Sequence, residues 1–212
     1  MGSIIKRLNS IFFNYINDKC RKVIFKFRKH QLLNRSFSLI TDNCLAGFIY
    51  HDLDLEFRSP LINGGMNCSD YIKFLTNIEF YLNQDLEFYT GDDNHIWAKL
   101  YDIRYRFTHY KTQDEALKKW NSRKHRINYE NLYVIMNEKE GCTLDNLIDF
   151  DRLPFKNKIV LTHKPYPQIK SAYYLKGFED NSHLGIISDF IPKQFLGKRY
   201  YDNFDFFSWL NV

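Results

Sequence analysis

The sequence lacks the features that mark several large classes of protein. No apolar run in its 212 residues approaches the roughly 20 residues that a membrane-spanning helix needs. The opening segment, residues 1–7, lacks the apolar core and cleavage site of a secretion signal. The four cysteines, at positions 20, 44, 68 and 142, form no CxxC pair, which argues against a zinc knuckle. We therefore expect a cytoplasmic chain with reduced thiols.

Motifs for nucleotide binding and metal-dependent hydrolysis are missing as well. The chain has no Walker loop, no glycine-rich dinucleotide fingerprint and no HExxH sequence. Two Asp-x-Asp triplets, Asp52-Leu53-Asp54 and Asp149-Phe150-Asp151, carry oxygen ligands that suit magnesium or manganese. Such triplets arise easily by chance among 25 acidic residues, and neither follows a clean strand. We predict no metal site, but a metal-dependent glycosyltransferase that uses Asp52 and Asp54 stays open as a second hypothesis.

The charge that is present is unevenly placed. Hydrophobic residues at 44% and charged residues at 26% indicate a globular chain, and its length fits one domain with a short appendage. The formal net charge is +5, yet residues 1–35 hold nine basic residues and one acid, so the remainder is acidic. We therefore divide the chain into a basic segment, 1–35, and an α/β domain, 36–212.

The basic segment has apolar residues at helical spacing from Ile4 to Phe27, which predicts an N-terminal amphipathic basic helix. Such a helix suits an anionic membrane surface, contacted through residues 4–29. It also suits packing on its own domain or on a second copy of the chain. Nucleic acid is not expected as a partner, because the rest of the chain is acidic and has no reader motif.

Beyond residue 35, apolar strand patterns alternate with helix patterns. Strands are predicted at 37–41, 86–89, 95–100, 103–110, 132–136, 159–162, 172–175 and 183–187. Helices are predicted after Asp42 or Asn43, from Ser69 to Leu82, from the capping box Thr112–Glu115 to Lys124, from Thr143 to Phe150, and at 201–210. This order predicts an α/β fold in which a mixed sheet is flanked by helices.

Several stretches resemble a bacterial family, domain-of-unknown-function family 1919, whose members are often labelled exopolysaccharide or capsule biosynthesis proteins. They are 38–50, 107–111 followed by Trp120, Arg123, Arg126-Ile127 and Asn131-Leu132, 141–143, 153–158 and 164–167. The resemblance spans roughly residues 36–175. It departs at Leu45 and Ala46, where an aromatic residue and a second glycine are expected, and at His163, where a small or hydroxyl residue is expected. It implies an α/β fold and a role in surface-glycan synthesis, with a glycan or lipid-linked sugar as substrate.

Cys44 is the sharpest candidate for chemistry. It falls at a predicted strand-to-helix turn, where the positive end of a helix favours a thiolate and free backbone N–H groups can stabilise an oxyanion. Asn43 adjoins it, and Gly47, one helical turn on, leaves room for a substrate. The turn also resembles that of a capsule acetyltransferase type that binds coenzyme A. The alternative is a small cysteine that only fills space.

A cysteine nucleophile needs a base, normally histidine. His109 ends a predicted strand, where open α/β sheets place their sites, and so is the leading candidate. His51 lies two helical turns beyond Cys44, too far for direct contact within one helix, and is assigned to substrate binding.

Basic and aromatic residues complete the predicted site. Arg123 and Arg126 share a helix face and suit a forked clamp on phosphate, although a solvated face is the alternative. Trp120 belongs to the same stretch of the resemblance. Lys164 and Tyr166 lie in a stiff loop after a strand. We predict a transferase at the inner face of the cell membrane that uses Cys44 and His109, with a coenzyme A thioester as co-substrate and no tightly bound cofactor. A non-catalytic, membrane-recruited adaptor is a third hypothesis.

Overall fold

Alternating apolar stretches and capping residues divide the chain into helices and strands. The computed structural model describes residues 2–194 and 196–212, with the side chains from residue 9 onward. Its helices are α1 Gly2–Arg28, α2 Leu45–Leu53, α3 Cys68–Thr76, α4 Ile78–Leu82, α5 Gln113–Lys124, α6 Leu144–Arg152 and α7 Phe206–Leu210. Its strands are β1 Ser38–Thr41, β2 Glu87–Thr90, β3 Ile96–Leu100, β4 Ile103–Phe107, β5 Leu132–Asn137, β6 Asn157–Thr162 and β7 Ala172–Tyr174.

The strands form two sheets. Four of them pair in parallel in the order β1-β5-β6-β7, and β2, β3 and β4 form an antiparallel meander. Strands β1 and β5 are almost entirely buried, as expected of a parallel sheet covered on both faces. The α/β fold with flanking helices and an N-terminal helix is therefore confirmed, with the parallel and antiparallel strands in separate sheets.

Side chains that alternate along the parallel strands divide the core into two parts. Ile40, Val134 and Val160 face α3 and the antiparallel sheet. Leu39, Ile135 and Leu161 face the opposite way, against α2 and the C-terminal segment. The carboxyl ends of β1, β5 and β6 consequently meet at one edge that is walled by helices, where open α/β sheets place ligands.

Three predicted elements differ in the structure. The predicted helix 69–82 is broken at Asn77, whose extended φ of −150° interrupts it and whose side chain accepts from Phe80 N–H to start α4. The predicted strand 183–187 is irregular: Leu184 and Ile187 are buried, but their backbone groups bond to Glu138 and Tyr201 rather than to a strand ladder. At the C-terminus, a 3₁₀ turn at Tyr200–Asn203 precedes the short α7.

A loop after α2 ties the antiparallel sheet to the end of β1. Gly65 exchanges two backbone hydrogen bonds with Arg106 of β4, at 2.9 and 2.8 Å. The Met66 N–H donates to the Asp42 carbonyl at 3.1 Å. A side chain at Gly64 would overlap Tyr105 and the Arg106 carbonyl. The loop therefore holds the end of β4 beside the end of β1.

The second half of α1 packs on the domain. Asn17 and Arg21 are buried, and the Asn17 Oδ1 accepts from the Gly197 N–H at 2.8 Å. Packing on its own domain was one of the roles predicted for the basic helix. No helix in residues 2–194 and 196–212 has the length and apolarity to cross a membrane.

Candidate functional site

A cavity of about 440 Å³ opens at the carboxyl end of β1, and we call it the Cys44 cavity. Helix α1, helix α2 with its N-cap, the loop after α2, the residues after β4 and the C-terminal segment all contribute to its wall. It is lined by Asp18, Arg21, Lys22, Cys44, Gly47, Phe48, His51, Asp52, Phe57, Asn63, His109 and Arg199. Four of the predicted site residues, Cys44, Gly47, His51 and His109, thus lie on one cavity although they come from distant parts of the chain.

Cys44 is the last residue before α2 and is partly buried. Its Sγ lies 3.7 Å from the Gly64 carbonyl oxygen. The first helical N–H groups beside it are already engaged: Leu45 N–H donates to Asn43 Oδ1 at 3.0 Å, and Ala46 N–H donates to Thr41 Oγ1 at 3.3 Å. Cys44 itself is the N-cap residue, one position beyond Asn43, and those two N–H groups are not free for an oxyanion.

The thiol of Cys44 is not set up as a resting thiolate. Burial raises the pKa of Cys44, and the positive charges of Lys139 and Arg106 oppose that rise only in part. The thiol is therefore protonated at neutral pH. A nucleophilic role needs a base that removes the proton as the sulfur attacks.

Two histidines lie on the cavity wall, and only His109 is a candidate for that role, because His51 stands two turns from Cys44 along the same helix. His109 is exposed and follows β4, and its position is fixed by a hydrogen bond of 3.1 Å from its backbone N–H to the Asn63 carbonyl. His51 lies on the last turn of α2 and is also exposed. A Cβ at Gly47 would stand 3.1 Å from Asn63 Oδ1, so the glycine keeps the wall between Cys44 and His51 open.

The side of the cavity formed by α1, α2 and the C-terminal segment is lined by three cations, Arg21, Lys22 and Arg199, and by two carboxylates, Asp18 and Asp52. Arg21 donates to Asp52 at 2.6 and 2.9 Å and to Asp202 at 2.5 Å, so Asp52 is neutralised. The Arg199 guanidinium lies 5.1 Å from the Phe48 ring centroid and pairs with Asp18 at 3.4 Å. Lys22 is exposed at the wall. This combination of cations and aromatic rings suits an anionic ligand with flat, partly apolar faces.

The two Asp-x-Asp triplets do not assemble a metal site. Asp52 is bound by Arg21, whereas Asp54 points to solvent and pairs with Lys29 at 2.9 Å. In the second triplet, Asp149 lies 3.5 Å from Arg152, and Asp151 accepts from the Ser171 backbone at 2.7 Å. No group of three or more His, Cys, Asp or Glu side chains among the described residues is placed to hold a metal ion.

The predicted residues of α5 lie behind the cavity wall. Trp120 is only 1% exposed and packs against the rings of Tyr105 and Phe107 in the core. Arg123 is buried, donates to the Tyr110 hydroxyl at 2.6 Å and lies 4.9 Å from the centroid of Phe57.

Arg126 is held by partners of its own. Its Nε lies 3.3 Å from Glu56, and its Nη1 donates to the Phe57 carbonyl, so the two arginines do not form a fork in this structure. Arg123 supports the wall through Phe57 rather than lining it.

Tyr166 belongs to a second polar group at the same sheet edge, which we call the strand-end network. It consists of Asp42, Asn137, Glu138, Lys139, His163 and Tyr166. The Asn137 amide donates to Asp42 at 2.6 Å, and Lys139 Nζ lies 3.0 Å from the Asp42 carboxylate. Lys164 is exposed beside the network, with its Nζ 5.4 Å from the Tyr166 ring centroid.

Glu138 organises the other half of this network. Its carboxylate accepts from His163 Nδ1 at 2.7 Å, from the His163 backbone at 2.9 Å and from the Tyr166 hydroxyl at 2.5 Å. Sequence reasoning missed this role, although a signal was present: Asp42, Glu138 and His163 each follow a strand directly, at the edge where parallel strands place polar groups. Its three hydrogen bonds hold the loop after β6 in place. Glu138, His163 and Tyr166 do not line the Cys44 cavity.

Comparisons with known proteins cover nearly the whole chain. The model of a family described as Domain of unknown function (DUF1919) matches residues 15–211, which include every residue that lines the Cys44 cavity. An uncharacterized protein of Haemophilus influenzae is 40% identical over 196 residues, which make up 92% of this chain and 94% of that relative. The matched span is longer than the stretch of roughly 36–175 on which the resemblance rests.

Proposed function

We propose that this chain, which belongs to the DUF1919 family of domains of unknown function, is a transferase of bacterial surface-polysaccharide biosynthesis that passes an acyl group through Cys44. The observation that carries the chemistry is the convergence of Cys44, His109, His51 and Gly47 on one cavity at the carboxyl end of a parallel strand. The surface-polysaccharide context rests on the sequence resemblance.

The reaction begins with the neutral thiol of Cys44. Its sulfur attacks the carbonyl carbon of an acyl-coenzyme A thioester while the thiol proton passes to the His109 imidazole. The tetrahedral intermediate expels the coenzyme A sulfur, which takes that proton. The acyl group is then held on Cys44 as a thioester. Because burial raises the pKa of Cys44, this route needs the base in its first step.

The second half returns the enzyme to its starting state. A hydroxyl group of the glycan or lipid-linked sugar attacks the Cys44 thioester and gives its proton to His109. The Cys44 sulfur leaves and takes that proton, and the acyl group ends as an ester on the sugar. Lys22 offers positive charge to the phosphates of the donor, and Phe48 and Phe57 offer flat apolar walls.

The test is direct detection of the acyl-enzyme. The full chain is incubated with a panel of short- and long-chain acyl-coenzyme A donors, and intact mass spectrometry and peptide mapping locate the added group. We expect one acyl group on Cys44, none in Cys44→Ala, and normal labelling in Cys20→Ala, which removes a partly buried thiol outside the cavity. His109→Ala should slow labelling by about 10²–10⁴-fold.

Two outcomes contradict the proposal. Either wild-type chain acquires no acyl group from any donor in the panel, or the label persists in Cys44→Ala. Circular dichroism of each variant verifies that the fold is retained.

A further inference from the structure

The side of α1 opposite Asn17 and Arg21 carries a set of exposed apolar and basic residues, of which Phe12, Lys22 and Lys26 also stand at the mouths of cavities against the domain. We call it the outer face of α1, and it consists of Ile11, Phe12, Tyr15, Lys19, Lys22, Val23, Lys26 and Phe27. The five apolar and aromatic members are between 57% and 69% exposed. Large exposed apolar side chains that gather on one surface mark an interaction site more often than scattered ones do.

Helix geometry explains why these residues share one side. With 3.6 residues per turn, positions 12, 15, 19, 23 and 26 follow one another at intervals of three or four residues. The opposite side carries Asn17 and Arg21, which are buried against the domain. Because α1 packs on the domain through Asn17 and Arg21, its apolar and basic side is exposed to solvent.

The charge of the outer face has one sign. Its charged residues are Lys19, Lys22 and Lys26, all exposed. The single acid of α1, Asp18, is directed to Arg199 at 3.4 Å. A second copy of the chain meeting this face with its own outer face would bring lysines against lysines. An anionic surface into which aromatic side chains can partition complements it instead.

We propose that the outer face of α1 docks the protein on an anionic lipid surface. Phe12, Tyr15 and Phe27 enter the boundary between headgroups and acyl chains, while the lysines contact the headgroups. From residue 11 to residue 27 the helix extends about 24 Å at 1.5 Å per residue, and it lies along the surface without crossing it. The docking itself requires no reaction at Cys44, although Lys22 lies both on this face and on the wall of the Cys44 cavity.

Vesicle flotation with the full chain tests the proposal. Vesicles of phosphatidylcholine alone are compared with vesicles that also contain phosphatidylglycerol. We expect recovery with the anionic vesicles, little with the neutral ones, and a marked loss in high salt because the charge interaction is screened. The triple variant Lys19→Gln/Lys22→Gln/Lys26→Gln should bind about 100-fold more weakly, on the order of fivefold for each lysine.

Matched control variants distinguish binding through the outer face from an effect of overall charge and from an effect of catalysis. Lys118→Gln/Lys119→Gln/Lys156→Gln removes three exposed lysines elsewhere and should bind as wild type does. Phe12→Ser/Phe27→Ser should lose binding while the lysines remain. Cys44→Ala should still float, so that failure of the acyl-transfer proposal leaves this one standing.

Three results would overturn the proposal: no recovery with anionic vesicles, equal recovery with both vesicle types, or equal losses in the two lysine triple variants. Sedimentation velocity tests the alternative that a second copy of the chain binds to the outer face. If wild-type chain forms a dimer that Phe12→Ser/Phe27→Ser dissolves, and neither protein floats, the outer face joins two copies of the chain and not a lipid surface.

Discussion

Replacing Arg21 by methionine should destabilise the protein strongly, because Arg21 fastens α1 to the domain. Arg21 is 3% exposed, and its guanidinium donates to Asp52, Asp202, the Tyr201 hydroxyl and the Gly197 carbonyl, at 2.5–3.1 Å. Burial alone would lower the pKa of Arg21, but the hydrogen bonds to Asp202 and Asp52 and the neighbouring Tyr201 oxygen raise it above its ordinary value. The arginine is therefore a permanent cation held between two carboxylates.

The size of the effect follows from what the substitution leaves behind. The side chains of Asp52 and Asp202 are each only 14% exposed, so Arg21→Met leaves two nearly buried carboxylates without a cation. Removing one partner of a buried ion pair costs about 3–5 kcal/mol, against a total stability of about 5–15 kcal/mol. We expect a loss in this range. Because the cost arises from unpaired charge, Arg21→Met/Asp52→Asn/Asp202→Asn should recover most of it.

Urea denaturation followed by circular dichroism measures these changes in unfolding free energy. Lys29→Met is the matched control: Lys29 pairs with Asp54, whose side chain is 79% exposed, and we expect no measurable change there. If Arg21→Met lost less than about 1 kcal/mol, or if the triple variant recovered nothing, the network would not be what fixes α1 in place.

Two further predictions concern the Cys44 cavity. Burial raises the pKa of Cys44, so with the other three cysteines replaced by serine its alkylation rate should rise with a midpoint above the value of about 8.5 of a free thiol. Lys139→Met should move the midpoint higher, since the charge of Lys139 lowers this pKa, and a wild-type midpoint below about 8.5 would refute the assignment. Gly64→Ala should destabilise the chain by about 1–3 kcal/mol, because the new methyl group overlaps Tyr105. Gly65→Ala, whose Cβ comes no closer than 3.2 Å to its neighbours, should cost less, and equal losses in urea denaturation would contradict this reasoning.

Local signals predicted most of the fold. Thr112 and Thr143 cap α5 and α6 as predicted. The predicted capping box at Thr112 is only half formed, because the Glu115 side chain accepts from the Lys111 N–H, whereas Thr143 and Asn146 form a complete box. The apolar runs gave β1, β5 and β6 to within two residues at each end. The break at Asn77 was missed because the apolar spacing of a single helix continues across it, and only the backbone shows the interruption.

The sequence predicts only those site residues that closely follow a strand. Cys44 follows β1, and the rule for the carboxyl edge of parallel α/β sheets selects it. His109 follows β4 of the antiparallel meander, to which that rule does not apply, and it comes beside β1 because the loop at Gly65 joins the two sheets. Arg21 could not be found this way. In an amphipathic helix rich in Lys and Arg, the sequence around Arg21 predicts a side chain that is exposed to solvent. Its partner Asp202 lies 181 positions away in the chain. Pairings at such a distance follow from tertiary packing, which periodicity does not encode.

Arg21 also connects the two proposals. Its side chain lines the Cys44 cavity, while Lys22, the next residue, stands at the mouth of that cavity and on the outer face of α1. A helix docked on lipid by the outer face would therefore hold the cavity within one helix diameter, about 10 Å, of the headgroups. A sugar carried on a lipid would reach Cys44 from that surface, whereas a water-soluble glycan would gain nothing from the docking. If both proposals hold, the basic helix selects lipid-linked acceptors. Lys19→Gln/Lys26→Gln, which spares the cavity-lining Lys22, should then lower transfer to a lipid-linked sugar in vesicles while leaving acylation of Cys44 from soluble coenzyme A thioesters in place.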